Sequence, residues 1–309
     1  MISRIAHVAL GVPDTETAIE FYGDLLGLAP IERSGDSVFL STGTSPSFEL
    51  ELGPYAQGVD HFAFGVRGRD ALETARARLA DAGVAVEEKA AAGEPGLGGG
   101  IACALPSGHV LELVAQTEPQ GFITSTEAAP RHHGVAGPAP LEHITLLTDR
   151  IRETAELLVD CLGFRITDSW QPAAGEPWRH TWLRAGEHHH DLALLPGDGP
   201  APELSHFCFA VPSVAELVRV ADALAARGMP LDASIGRHAA GNNVVLYFKD
   251  PFGNRLEVNA EMARIDPAAP PRIVRDGFPF DLWRDGRPPS LEPGSACRDG
   301  RPLAAEAER

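Results

Sequence analysis

Residues 141–166 have the sequence LEHITLLTDRIRETAELLVDCLGFRI, and a related stretch, RIAHVALGVPDTETAIEFYGDLLGLAPI, occurs at residues 4–31. In each copy, alternating apolar and polar residues favour a half-buried strand, and apolar residues three and four positions apart then indicate an amphipathic helix. Capping residues mark the predicted helix ends: Asp14 and Asp149 at the N-termini, Gly27 and Gly163 at the C-termini. The chain therefore contains a duplicated strand-helix unit.

Two further copies of this unit complete the repeat. They are VDHFAFGVRGRDALETARARLADAGVAV at residues 59–86 and LSHFCFAVPSVAELVRVADALAARGMPL at residues 204–231. After each helix come short runs of strand character, among them SVFLS, FELEL, VLELV, LALL, VVLYF and RLEVN, separated by Gly, Pro and Asp turns. The sequence therefore predicts an α+β fold of four βαβββ modules.

The modules fall into two predicted domains with a connecting segment and a tail. Residues 1–116 hold the first two modules and residues 141–262 the last two. The intervening residues 117–140 lack periodicity, which is typical of a linker. Residues 263–309 are rich in Pro, Gly and Arg, and we expect an irregular tail there, part of which folds over another surface.

Composition excludes several classes of partner and compartment. The 309 residues carry 43 acidic and 26 basic side chains, so a net charge of −17 repels nucleic acid and anionic membrane surfaces. The four cysteines form no CxxC pair, which argues against a disulfide framework or a zinc knuckle and favours a reducing cytoplasm. The N-terminal residues enter a strand pattern directly, without the features of a signal peptide, and no run of 18 apolar residues follows. We expect a cytoplasmic protein without nucleic-acid or membrane partners.

Two histidines and one glutamate recur in register in the two halves. The second half has His143 and His206 on the first strands of its modules and Glu257 on its last strand. The first half has equivalent residues: His7, His61 and Glu112. In both halves, 51 residues separate the second histidine from the glutamate. Inward-facing side chains of a curved sheet built from two modules can converge despite such distances in sequence.

Two imidazoles and one carboxylate form the facial triad that suits non-haem Fe(II), because half of the coordination octahedron stays open. The bound ion would retain a charge of about +1 and so attract an anionic chelator. An isolated histidine on a strand is more often a hydrogen-bonded core residue than a ligand. Because the trio recurs in a duplicated frame, the ligand interpretation is favoured for the second half.

The second half also contains the motifs HHHDLAL, GRHAAGNN and LYFKDPFGNRLEV. Together with the paired βαβββ modules and the His/Glu trio, they resemble those of the type I extradiol ring-cleaving dioxygenases of the vicinal oxygen chelate superfamily. The resemblance covers about residues 1–262 and is strongest at 141–262. It implies two vicinal-oxygen-chelate domains, each a curved, open, barrel-like sheet with its helices outside.

This resemblance implies a function and its cofactors. A catecholic substrate and O2 would meet at an Fe(II) centre held by His143, His206 and Glu257, and the ring would open by extradiol (meta) cleavage in aromatic compound degradation. Mn(II) is the other metal that this ligand set accepts. Relatives commonly assemble, and strand edges can pair between subunits, so a homo-oligomer is expected.

The resemblance also implies roles for residues around the metal. His190 matches the acid/base histidine of the family, and His238 and Tyr247 match the pair that hydrogen-bonds the oxygens of the substrate. The alternative for Tyr247 is an aromatic that packs in the core. Trp182 matches an aromatic pocket wall in some relatives, and core packing is an equally good interpretation.

Three residues of the tail, Arg272, Arg275 and Trp283, are candidates for substrate binding. In some relatives a C-terminal segment covers the mouth of the active site and supplies an arginine to a substrate carboxylate. The alternative is a solvated basic stretch on an acidic protein.

The first half serves as an internal comparison. It keeps its His/Glu trio, but in the aligned register Ser47, Gly93 and Ala102 replace His190, His238 and Tyr247. The resemblance implies a structural N-terminal domain. A vestigial second metal site remains open, with Glu49 or Glu51 as a further ligand of the kind found in glyoxalase-like relatives.

Two other functions remain open on the same scaffold. A glyoxalase-like or epimerase-like metal lyase or isomerase generally needs a fourth protein ligand, whereas the LALL strand offers no acidic residue beyond Asp191. A non-catalytic ligand-sequestering protein has no use for three converging ligands and the neighbouring acid/base groups.

Overall fold

The computed structural model describes residues 2–43, 47–90, 94–116, 134–136, 139–173, 176–197, 202–275 and 280–283. It confirms the four predicted βαβββ modules. The first two comprise β1 (Ile2–Gly11), α1 (Thr15–Leu26), β2 (Ala29–Ser34), β3 (Ser37–Ser41), β4 (Leu50–Gly53), β5 (Gly58–Val66), α2 (Arg69–Asp81), β6 (Glu87–Lys89), β7 (Leu97–Ala104) and β8 (Val110–Gln116). The last two comprise β9 (Leu141–Thr148), α3 (Ile151–Leu162), β10 (Arg165–Trp170), β11 (Thr181–Arg184), β12 (Leu192–Pro196), β13 (Glu203–Ala210), α4 (Val214–Ala226), β14 (Leu231–Arg237), β15 (Val244–Lys249) and β16 (Arg255–Ala260).

Each pair of modules forms one sheet with the same topology. The first sheet has the order β2-β3-β4-β1-β5-β8-β7-β6. The second has the order β14-β15-β16-β13-β9-β12-β11-β10-β17, in which β17 (Arg272–Val274) follows the last module. In every module the first strand pairs in parallel with the last, and the two modules of a sheet join through antiparallel first strands, β1 with β5 and β9 with β13. We call these sheets the first and second lobes.

Within each lobe, the helices pack on the sheet through apolar side chains. The apolar stripe predicted for α3 is buried, and it contains Ile151, Ala155, Leu158 and Leu162. Burial of one such leucine contributes roughly 1.5–3 kcal/mol relative to exposure. The strand faces opposite to the helices carry the polar trios, so the same alternation that builds the core also directs the histidines inward.

Helix ends match the sequence at three of the four predicted caps. Asp14 accepts a hydrogen bond from the backbone N–H of Thr17, and Gly27 and Gly163 have left-handed φ values of 73° and 78°. The prediction for Asp149 is wrong, because α3 begins one residue later, after Arg150.

The ninth strand of the second lobe was not predicted. β17 (Arg272–Val274) pairs in parallel with β10, so part of the expected irregular tail extends the sheet. Of the predicted linker, the structure describes residues 134–136, 139 and 140; the backbone N–H groups of Val135 and Ala136 donate to the carbonyls at the end of α1. No helix in the described part of the chain is both long and apolar enough to cross a membrane.

Hydrogen bonds also join the two lobes. The Tyr22 hydroxyl on α1 donates to Asp250 Oδ2 at 2.7 Å, and both groups are buried. Asp250 starts the turn between β15 and β16, where its Oδ1 accepts from the N–H groups of Phe252 and Asn254. Gly253 has φ +92°, a conformation that favours glycine. The turn places Tyr247 directly opposite Glu257 in the antiparallel register, as the sequence predicted.

Candidate metal centre and active-site pocket

Three side chains of the second lobe converge on its inner face. His143 lies on β9, His206 on the adjacent β13 and Glu257 on β16, which pairs with β13. Glu257 Oε2 lies 3.1 Å from His206 Nε2 and 3.7 Å from His143 Nε2. All three residues are buried, and one donor atom from each lies within 4.8 Å of the others. The structure thus brings together the trio on which the sequence-based metal prediction rests.

The electrostatics of this trio favour a bound cation. Burial opposes charge on Glu257, but His143 and His206 hold the pKa of its carboxyl well below the usual range. Burial likewise opposes charge on His143, yet Glu257 and Glu142 raise its pKa to about 9. Burial lowers the pKa of His206 to about 4. An anionic carboxylate therefore lies between two imidazoles, where a divalent ion would neutralise it.

Neighbouring groups orient each of these side chains. Asn243 Nδ2 donates to Glu257 Oε1 at 3.2 Å, which leaves Oε2 facing the histidines. The Ser205 hydroxyl lies 3.0 Å from His206 Nδ1, and Glu142 Oε2 lies 3.5 Å from His143 Nδ1. Groups in these positions can orient a metal-ligating imidazole so that Nε2 points at the ion.

The donor set fits a divalent metal. Neither ring nitrogen of His143 is hydrogen-bonded to a described residue, although the ring is fully buried. A buried polar atom without such a partner costs roughly 1–3 kcal/mol, and a metal at Nε2 would supply it. Two imidazole nitrogens and one carboxylate oxygen suit Fe(II) or Mn(II).

A cavity of about 230 Å³ opens beside the trio. Its lining includes four residues singled out in the sequence: Trp182, His190, His238 and Tyr247. The Tyr247 hydroxyl lies 3.4 Å from His238 Nε2, and the ring of His190 lies 4.3 Å from that of His143. The structure therefore places all the acid/base and hydrogen-bonding candidates of the second half around one pocket.

A chain of buried polar side chains runs from His190 away from the pocket. His190 Nδ1 lies 3.1 Å from His189 Nδ1, and His189 Nε2 lies 3.1 Å from Asp168 Oδ2. Asp168 also accepts from the guanidinium of Arg272 on β17. We name the sequence Arg272, Asp168, His189, His190 the histidine chain.

The histidine chain determines which nitrogen of His190 faces the reaction. Burial, reinforced by His143 and His189, lowers the pKa of His190 well below its usual value, so the ring is neutral. Because Asp168 only accepts, His189 donates from Nε2, and in the tautomer whose single ring proton is on Nε2 the Nδ1 atom accepts. His190 then donates from Nδ1, which leaves the lone pair on its Nε2.

The tail residues occupy other positions than the pocket. Arg272 pairs with Asp168, Arg275 donates to the carbonyls of Gln171 and Pro172, and the exposed Trp283 contacts the guanidinium of Arg237. Among the tail residues that the structure describes, Phe280 lines the cavity. Its carbonyl accepts from Ala239 N–H, which fixes it beside His238.

The first lobe repeats the trio. Glu112 Oε2 lies 3.7 Å from His7 Nε2 and 3.5 Å from His61 Nε2. Glu51 adds a second carboxylate, with Oε2 4.0 Å from His61 Nε2, whereas Glu49 turns away and accepts from Thr42.

The strand register corrects one equivalence between the lobes. The counterpart of His190 is Phe48, not Ser47, because Leu50 and Leu192 occupy matching positions beside β1 and β9. Phe48 stacks on His7 at 4.5 Å, as His190 packs on His143. Ala102 is opposite Glu112, as Tyr247 is opposite Glu257. Gly93 lies outside the described residues.

The sequence did not reveal five polar groups of the site. Thr145, two positions after His143 and on the same strand face, places its hydroxyl 3.0 Å from His206 Nε2. Arg255 holds its guanidinium 4.0 Å over the Tyr247 ring. The others are Asn243, His189 and Asp168. The period of two along strands signals Thr145 and Arg255; Asp168 carries no such signal.

Comparison with known families agrees with this geometry. The profile of the Glyoxalase/Bleomycin resistance protein/Dioxygenase superfamily matches residues 141–258, and that of the Catechol 2,3-dioxygenase-like N-terminal domain matches residues 59–118. The chain is similar to this superfamily in both of its halves. The matched segments contain the second module and the last two.

The relatives include ring-cleaving enzymes. The manganese-dependent 2,3-dihydroxybiphenyl 1,2-dioxygenase of Geobacillus genomosp. 3 is 28% identical over 268 residues, which cover 83% of this chain and 84% of that protein. Metapyrocatechase of Pseudomonas sp. (strain CF600) is 29% identical over 266 residues, covering 83% and 85%. The crystal structure of homoprotocatechuate 2,3-dioxygenase from Arthrobacter globiformis has a TM-score of 0.81 at 25% identity and covers 94% of this chain and 90% of that one. The predicted resemblance to extradiol dioxygenases is confirmed.

Proposed function

We propose that the protein is an extradiol dioxygenase that opens a catecholic ring with O2. The observation that carries this function is the convergence of His143, His206 and Glu257 beside a pocket that also presents His190, His238 and Tyr247. Three protein ligands leave coordination positions for two substrate oxygens and O2. The reaction needs no external reductant, because the cleaved carbon–carbon bond supplies the electrons and both oxygen atoms remain in the product.

The metal would be held by His143, His206 and Glu257, and Fe(II) is the ion we propose, with Mn(II) as the alternative that the name of one relative supports. When bound, the metal supplies a common centre at which catecholate and O2 are held side by side and electron density can pass between them. The protein's own contribution is the placement of proton acceptors, donors and apolar walls around that centre.

His190 is the proposed acid/base. Its Nε2 lone pair, fixed by the histidine chain, can accept the proton that a catechol hydroxyl loses when it becomes a ligand. The same proton can return to the reacting oxygen later in turnover, because the hydrogen bond to His189 stabilises either state of the ring. Tyr247 and His238, 3.4 Å apart, are the proposed hydrogen-bonding partners of the substrate oxygens.

Apolar groups define the remaining walls of the pocket: Trp182, Leu195, Ala240 and Phe280. They can enclose an aromatic ring and exclude water, which strengthens electrostatic interactions within the site. Among the described lining residues, Arg255 carries the one permanent positive charge, and its Nε already pairs with Asp232 at 2.6 Å. We therefore propose a catechol without an anionic substituent as the preferred substrate.

The geometry argues against the two other functions considered. On β12, Ala193 occupies the position that Glu51 holds on β4, so the second lobe lacks the fourth carboxylate of a lyase or isomerase site. A ligand-sequestering protein does not require the histidine chain. Oxygen-independent isomerase activity with Ni(II) or Zn(II) would favour the lyase or isomerase function. Tight metal-independent binding of a ligand without turnover would favour the sequestering function.

A panel of catechols tests the proposal. Protein loaded anaerobically with Fe(II) is mixed with mono- and bicyclic catechols in air, and the visible absorbance of the conjugated ring-opened product is followed. We expect a yellow product and matching O2 uptake, with uncharged catechols turned over at lower KM than carboxylated ones. Absence of product across the panel, with metal bound, would contradict the function.

Several coarser expectations remain proposals. The domain limits 1–116, 117–140, 141–262 and 263–309 are testable by limited proteolysis. A cytoplasmic location is supported by the free state of Cys103, Cys161 and Cys208 within the described residues. Self-association is supported by the exposed edge strand β2, and light scattering measures it. The cover that the tail gives to the pocket would act through Phe280, since the three tail residues proposed from the sequence lie outside the lining.

A further inference from the structure

The first lobe presents one ligand-type side chain from each of four strands on its inner face. They are His7 on β1, Glu51 on β4, His61 on β5 and Glu112 on β8. All four are at least 95% buried. Donor atoms of His7, Glu51 and His61 lie within 4.8 Å of one another, and Glu112 Oε2 lies within 3.7 Å of both imidazoles.

The histidines of this cluster have unpartnered nitrogens. Neither ring nitrogen of His7, nor Nε2 of His61, is hydrogen-bonded to any residue in the described ranges. His61 Nδ1 lies 2.9 Å from Asp60 Oδ2, and because the carboxylate only accepts, Nδ1 carries the proton. The lone pair of His61 is therefore on Nε2, directed at the two glutamates.

Glu51 is likewise oriented before any ligand arrives. Its Oε1 accepts from the hydroxyls of Ser37 and Tyr55, each at 2.8 Å. Its Oε2 is left facing His61. A carboxylate–histidine contact behind one ligand and two hydroxyls behind another are the supporting contacts expected around a metal site.

We infer that the first lobe holds a second divalent transition-metal ion, bound by His7, His61, Glu51 and Glu112. Two imidazoles and two carboxylates make the site electrically neutral with a divalent ion. Ligand atoms about 2.1 Å from a tetrahedral centre are about 3.4 Å apart. Glu112 lies 3.5–3.7 Å from the two imidazoles, Glu51 lies 4.0 Å from His61, and the atoms of His7, Glu51 and His61 lie within 4.8 Å of one another, so binding draws the side chains closer together. Zn(II) is the ion that this nitrogen and oxygen set fits best.

This site is closed to chemistry. Phe48 stacks on His7 where His190 packs on His143, and Ala102 lies where Tyr247 lies in the second lobe. Lys89 contacts Glu94 and the Oε2 atom of Glu112, the oxygen that faces the imidazoles, so its ammonium group must withdraw towards Glu94 when the ion binds. With four protein ligands and, among the described residues, no counterpart of His190 or Tyr247 beside them, the ion stabilises the lobe and does not turn over substrate. The inference is independent of the proposed ring cleavage.

Metal counting tests the inference. Chains with the second-lobe site removed, His206→Ala and separately Glu257→Gln, are dialysed against Zn(II), freed of excess ion and analysed by mass spectrometry. We expect one Zn(II) per chain in both, and none when His61→Ala is added to either. Glu51→Gln should weaken Zn(II) affinity at least tenfold, whereas Glu49→Gln, just before β4 and facing Thr42, should not.

A second measurement does not depend on recovery of the ion. In the His206→Ala chain, a chelator should lower the thermal unfolding midpoint, and it should have no effect once His61→Ala is added. The second metal site would be contradicted if the His206→Ala chain held no Zn(II), or if the chelator left its unfolding midpoint unchanged. Ring-cleaving activity of the Glu51→Gln chain reports on the second lobe alone, so failure of one proposal is distinguishable from failure of the other.

Discussion

His189 should control the rate of ring cleavage without touching substrate or metal. Its Nδ1 lies 3.1 Å from His190 Nδ1 and its Nε2 lies 3.1 Å from Asp168 Oδ2, and both rings are buried. We assign Nδ1 of His189 as the acceptor and Nε2 as the donor. The change to phenylalanine keeps an aromatic ring in the space but leaves the His190 Nδ1–H without its acceptor. The change to glutamine keeps an acceptor oxygen.

The size of the effect follows from the lost hydrogen bond. A buried donor without its partner costs about 1–3 kcal/mol. His190 can avoid that cost by changing its tautomer or by rotating, and after either change its Nε2 no longer accepts the substrate proton. At 1.36 kcal/mol per factor of ten, this predicts a fall in kcat of about 5-fold to 150-fold. KM and bound metal should stay near the wild-type values, because His189 lies outside the pocket lining.

The assay is steady-state O2 uptake on metal-loaded protein, with kcat and KM measured across pH for the wild type and both variants. His189→Gln should recover most of the activity lost in His189→Phe. A His189→Phe chain whose kcat is within twofold of the wild type at full metal content would refute the positioning role. Equal losses in both variants would show that packing alone is at stake.

Three further predictions concern stability and substrate access. His180 is stacked between Trp170 and Trp182, and burial, aided by Arg179, lowers its pKa to about 4. The unfolded chain binds this proton near pH 6.5, so the free energy of unfolding is highest above pH 6.5 and falls as the pH is lowered. The expected decrease reaches about 2 kcal/mol at pH 5. His180→Phe should flatten this slope in urea unfolding, and an unchanged slope would contradict the assignment. Tyr22→Phe removes the buried hydrogen bond to Asp250 and should lower the free energy of unfolding by about 1.5–3 kcal/mol, so a loss below 0.5 kcal/mol by the same assay would argue against this tie between the lobes. Phe280→Ala opens the pocket wall and should raise KM about tenfold with a smaller change in kcat; unchanged kinetics would remove the tail from the site.

The sequence predicted the modules and the trios because both depend on local period and duplication. The alternation of side chains along β9 and β13 directs both His143 and His206 to the inner face of the sheet. The turn at Asp250 brings Tyr247 opposite Glu257. These relations need only the period of strands and the position of one turn.

The features missed depend on pairing between distant segments. The choice between Ser47 and Phe48 needs the register of β4 on β1. The contact of Asp168 with His189 needs β10, β11 and β12 side by side, and Arg272 joins it through a strand that starts 104 residues later. The sequence analysis expected a tail arginine at a substrate carboxylate, but Arg272 pairs with the carboxylate of Asp168. Asp168 is buried, and an unpaired buried charge is costly.

Isotopically labelled O2 tests whether the protein cleaves a catecholic ring and places both oxygen atoms in the product. Fe(II)-loaded protein is mixed anaerobically with a catechol that it turns over, labelled O2 is admitted, and the ring-opened product is weighed by mass spectrometry, with Glu257→Gln as the metal-site control. We expect both labelled atoms to enter one product molecule in the wild type and the control to form no product. Product formed without label, or formed equally by Glu257→Gln, would contradict ring cleavage at the His143, His206 and Glu257 centre.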